Sequence, residues 1–104
     1  MDIPEDGMVK HAVFFLNSAR ETIDSRRDTY DSAKMQGERS MRATVDAFNI
    51  ITRREGERAL TEAEGWLLMQ ILKDVRQWSA TAYHHDSALD GVAYAALKAE
   101  ALAR

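Results

Sequence analysis

Apolar residues recur at helical spacing along most of the chain, and the pattern predicts four α-helices with no segment that alternates as a strand would. The first runs from Met8 to Asp24, with Val9, Ala12, Val13, Leu16, Ala19 and Ile23 as its apolar stripe and Phe14 off that stripe. A second begins between Ala33 and Glu38 and reaches about Arg54, burying Met41, Val45, Phe48, Ile51 and Thr52, and Gly56 ends it. Thr61-Glu62-Ala63-Glu64 has the form of a capping box, in which Thr61 accepts from the amide three residues on and Glu64 reaches back, so a third helix starts there. Its wide apolar face is Leu67, Leu68, Ile71, Leu72, Val75 and Trp78, through about Ser79, with Trp66 and Met69 left outside. The last helix starts at His85 or Asp86 and runs to the C-terminal alanines.

Four helices joined by short loops predict an all-α fold, a bundle-like single domain over residues 1–104 with 1–7 as a flexible N-terminal stretch. Trp66, Met69 and Phe14, each off its helix's stripe, point to a second apolar surface, and a homo-oligomer is the expected way to cover it. Misjudged helix phase is the alternative reading of those three residues.

Composition narrows the classes. The chain is 45% hydrophobic and 30% charged, as an ordinary globular domain is, and its net charge of −3 provides no general field for nucleic acid or an anionic membrane. It has no cysteine, which removes disulfides, thiolate catalysis and cysteine-based zinc sites. The acidic start Met1-Asp2-Ile3-Pro4-Glu5-Asp6 is unlike a signal peptide, and no apolar run approaches the roughly 20 residues that span a bilayer, so the expected location is the cytoplasm.

The candidate chemistry lies mainly in the last two helices. At about 100° per residue, Asp86, Asp90, Ala93, Leu97 and Glu100 share one stripe, which puts two carboxylates a turn apart on the core-facing side. A carboxylate leaving water needs a cation, strong donors or a metal. Asp86 and Asp90 are therefore candidate Mg²⁺ ligands and catalytic acids; the alternative is a helix cap and a structural salt bridge. Of the adjacent His84 and His85, His85 is the favoured ligand or proton carrier, against a plain loop role. Lys73 and Arg76, with Arg26 and Arg27 after the first helix, are candidate phosphate or carboxylate binders, against solvated charge. In the charged stretch between the first two helices, Tyr30 is a candidate base-stacking residue or a small packing anchor.

Arg26, Arg27 and Tyr30, the Leu60-Thr61…Glu64 start and Leu72-Lys73-Asp74…Arg76 end of the third helix, and His84…Asp86-Ser87…Asp90…Tyr94-Ala95-Ala96 together resemble a family of short bacteriophage and prophage proteins of unassigned function. In that resemblance Tyr94 is a candidate ligand-binding residue. More distantly, the four-helix plan with inward acids is similar to all-α nucleoside triphosphate pyrophosphatases of the MazG type, which implies oligomers and Mg²⁺ held by two acidic motifs, with Asp86 and Asp90 as the second and only Glu38 and Asp46 on the second helix available for the first. The paired acids of the first motif are missing here. Three functions follow as expectations: Mg²⁺-dependent pyrophosphohydrolysis of a nucleotide, nucleotide sequestration on the same scaffold, and a phage accessory role in which the Trp66/Met69 surface grips a host protein.

Overall fold

The computed structural model describes residues 11–30 and 40–104. They form four α-helices, α1 (Ala12–Tyr30), α2 (Ser40–Thr52), α3 (Glu62–Ser79) and α4 (His85–Ala103), with a short 3₁₀ turn at Gly56–Arg58. The all-α expectation holds, with no strand among the described residues. The N-terminal stretch 1–7 and the expected starts of the first two helices lie outside the described residues.

α3 and α4 make the most extensive contact, α1 packs on α4, and α2 packs on α3. The α3–α4 pair is an antiparallel hairpin whose register can be read from its cross-helix contacts. At one end Arg104 donates to both oxygens of Glu62, each at 2.9 Å, and its other nitrogen donates to Glu100 at 2.8 Å. Next, Trp66 stacks on Tyr94 at 5.7 Å between ring centroids. In the middle the Lys73 ammonium lies 2.9 Å from Asp90. At the far end the His84 amide donates to the Gln77 side chain at 3.0 Å. Glu62 is buried, so Arg104 supplies the countercharge that a desolvated carboxylate requires.

Local signals explain where the helices begin and end. The capping box forms as expected: Glu64 N–H donates to Thr61 Oγ1 at 3.1 Å, and Thr61 N–H donates to Glu64 Oε1 at 2.9 Å. α4 is capped by His84, whose ring accepts from the Ser87 amide. α2 stops at Thr52, short of the expected Arg54, because Arg53 turns into the left-handed region at φ 57°. Asn49 then holds the returning chain, donating to the Leu60 carbonyl at 2.9 Å and accepting from its amide at 2.8 Å.

The core forms around Trp66, Tyr94 and Leu97, with Ile23 of α1, Met41 of α2, Met69 and Ala101 packed against it. This reverses the expected phase of α3. Trp66 is 3% exposed, whereas Leu67, Leu68, Ile71, Leu72, Val75 and Trp78 range from 37% to 86% exposed. α3 therefore has two apolar faces. The one taken inside the chain carries the largest ring, the charged groups that find partners (Glu62 and Lys73), and Gly65, where α2 comes closest. A Cβ on Gly65 would stand 2.5 Å from Met41 Sδ and 2.8 Å from Val45 Cγ2. The expectation that Trp66 lies between chains is corrected accordingly, since Tyr94 already covers it. On α1 the packed positions are Ala19 and Ile23, while Val13 and Leu16 are largely exposed. On α2 Val45 is buried as expected, but Ile51 faces outward.

Candidate functional site

Several of the residues singled out from the sequence converge on the outer half of the α3–α4 hairpin. Asp90, one turn into α4, faces α3 and meets Lys73. The Lys73 side chain is only 12% exposed and that of Asp90 32%, so the pair is sheltered on one side and wet on the other. The inward-acid argument called for a cation, strong donors or a metal at such a carboxylate, and at Asp90 the Lys73 ammonium stands in that place. Asp86 departs from it: it is exposed in the first turn of α4, where a negative charge is favoured by the unpaired amides of the helix start.

An open cleft of about 530 Å³ lies beyond the ion pair, lined by Arg76, Ser79, Ala80 and His84. Among the described residues Arg76 takes part in no ion pair. His84 Nδ1 is engaged from within its own helix, by Ser87 Oγ at 2.5 Å and the Ser87 amide at 3.3 Å. With Nδ1 accepting, the proton of a neutral His84 ring sits on Nε2 and is a donor. Gln77 supports this corner, its amide donating to the Ala82 carbonyl at 3.4 Å while its oxygen accepts from His84 N–H.

His85 sits elsewhere. Its Nδ1 lies 2.7 Å from the Tyr83 hydroxyl, and its ring packs 6.1 and 6.0 Å from Phe14 and Phe15, so it anchors α1 against α4 and does not join the acids. The expected preference for His85 over His84 is corrected on that ground. Tyr94 is buried on Trp66 and offers a ligand no surface. Arg26, Arg27 and Tyr30 fall in the last turns of α1 and not in a loop, their side chains lying outside the described structure; Glu38 lies outside the described residues. Glu62 with Arg104, and Gln77 with the 80–84 loop, had no sequence motif to announce them. Nor did the cap: the sequence offered Asp86 for that place, and the structure uses His84, whose ring accepts from the Ser87 amide.

The metal reading and the ion-pair reading of Asp90 meet at one carboxylate. Asp90 already has its cation, and among the described residues no group of three or more histidines, aspartates and glutamates is placed to hold a metal ion. A substitution reads this directly. Asp90→Asn is expected to lose about 1–2 kcal/mol, less than the ~3–5 of a fully buried broken pair because Asp90 is partly wet. In a thermal melt that is a fall of roughly 4–8 °C per kcal/mol for a domain of this size. If Asp86 and Asp90 repelled one another around a metal, the same change would raise the melting temperature and abolish a Mg²⁺ response.

Compared with known protein families, curated proteins and solved structures, the chain matches none.

Proposed function

We propose that the chain binds a phosphate-bearing ligand of nucleotide size in the cleft at the outer end of the α3–α4 hairpin, and binds it without turnover. The observation that carries this is Arg76, which lines the cleft together with Ser79 and His84 and has no ion-pair partner among the described residues. A guanidinium fork suits phosphate oxygens in pairs, and the His84 Nε2–H and Ser79 hydroxyl add donors. The volume falls within the ~300–1,000 Å³ of ordinary ligand pockets. This reading takes up the nucleotide half of the resemblance to MazG-type proteins.

Binding is favoured over hydrolysis because the acids are not free to act together. Asp90 is held by Lys73, and Asp86 is exposed at the helix start, in no ion pair among the described residues. A Mg²⁺-dependent reaction would require Asp90 to exchange the ammonium for the ion, so Mg²⁺ and Lys73 would compete for one carboxylate.

The test is thermal stabilisation and calorimetric titration with inorganic phosphate and nucleoside mono-, di- and triphosphates, each with and without Mg²⁺. A ligand at 100 times its Kd adds about 2.7 kcal/mol of stability. Arg76→Ala should weaken binding by about tenfold or more, the worth of a charge-assisted hydrogen bond. No stabilisation by any phosphate compound, or equal binding by the Arg76→Ala protein, would rule the site out. Pyrophosphate release with Mg²⁺ would replace binding by turnover.

A further inference from the structure

The apolar face that the hairpin leaves uncovered has an order of its own. Leu68, Ile71, Val75 and Trp78 follow one another at steps of three, four and three residues, the seam spacing of helices that pack knobs into holes. All four lie in the 18-residue α3, which has no proline and whose single glycine, Gly65, precedes the seam. Their exposures are 55%, 46%, 55% and 86%, and Leu67 and Leu72 widen the strip on either side.

We propose that this face is the contact between two copies of the chain, α3 lying against α3 of the second copy about a two-fold axis. The first reason is area. The six side chains leave on the order of 700 Å² of apolar surface, more than the ~300–600 Å² of the largest patch on a typical monomer and near the ~800 Å² that each partner gives to a standard interface. The second is the pattern. A three-four seam is satisfied by another helix with the same repeat, and an isologous pair presents the same strip from both sides. The third is the small interior of one copy: among the described residues the buried hydrophobic side chains are Ala19, Val45, Trp66, Ala93, Tyr94 and Leu97, two of them alanines from α1 and α4. Pairing joins a second apolar layer to this one through α3, whose inner face holds Trp66 and whose outer face holds the seam.

The seam residues do not line the phosphate cleft, which Arg76 and His84 do, so the contact does not rest on the proposed binding. The experiment uses the full chain at about 50 µM, well above the micromolar dissociation constants at the weak end of standard-sized interfaces. Light scattering after size exclusion should give twice the 11.8 kDa chain mass. Ile71→Asp and Val75→Asp should each reduce it to one chain with unchanged helical circular dichroism, since both positions are solvent-exposed within one copy. Iodide quenching provides a readout that does not depend on a variant's folding. Trp78, 86% exposed in one copy, should be shielded in the wild-type protein, where Trp66 is already buried. A wild-type mass of one chain with Trp78 freely quenched overturns the proposal and leaves the face to a different protein; a dimer that survives both charge substitutions places the contact elsewhere and overturns it equally.

Discussion

Trp66→Ala is expected to lose about 3–5 kcal/mol of stability, the range for removing a large aromatic side chain from a core. Trp66 is 3% exposed, stacks on Tyr94, and belongs to the cluster that draws in Ile23 from α1 and Met41 from α2, so its removal opens a cavity where all four helices meet. For a domain whose total stability lies in the usual ~5–15 kcal/mol range, that is enough to populate unfolded chains at ambient temperature. Urea denaturation should show the midpoint falling with little change in slope. Trp78 makes the contrast. Its substitution should leave the stability of a single copy within about 0.5 kcal/mol and, on the α3–α3 pairing proposed above, remove the dependence of the midpoint on protein concentration. A loss at Trp66 smaller than that at Leu67→Ala would put the core on the opposite face of α3.

The two tryptophans also mark where sequence reasoning succeeds and where it stops. Helix number and the third and fourth helix starts were legible because their signals are local: the Thr61–Glu64 box, and the break at 80–84 before the acidic start of α4. The phase of α3 was not, because periodicity ranks faces by apolar content and cannot say which is covered within the chain and which remains for another. Leu67, Leu68, Ile71, Leu72, Val75 and Trp78 outnumber Trp66 and Met69, yet the smaller set packs inward. What selects it are partners distant in sequence, Arg104 for Glu62, Asp90 for Lys73 and Met41 over Gly65. The same limit applies to the site. That Asp90 needed a cation, strong donors or a metal followed from its place on the stripe, but that Lys73 stands there depended on the register of two helices, and no spacing within α4 contains that. His84 and His85 were separated by cap geometry, one ring turned to Ser87 and the other to Tyr83.

Gly65→Val should detach α2 from the rest of the chain. In an exposed helix, replacing glycine gains stability, up to about 1 kcal/mol for alanine. At position 65 the sign reverses, because a Cβ there would stand 2.5 Å from Met41 Sδ and 2.8 Å from Val45 Cγ2. Methionine can swing aside, but Val45 is β-branched, buried and held to few rotamers on a helix. Gly65→Ala should therefore be a net loss of about 1 kcal/mol, overpacking of ~1–3 kcal/mol exceeding the propensity gain. The two further methyl groups of valine should raise the loss to about 3 kcal/mol. Because α2 packs on α3 and is otherwise tied through Asn49 to Leu60, the damage should stay local. Hydrogen exchange would then show protection lost across Ser40–Thr52 while Glu62–Ala103 keeps most of its own. Stabilisation by Gly65→Ala with α2 still protected would mean that α2 approaches α3 elsewhere, and that this glycine has no packing role.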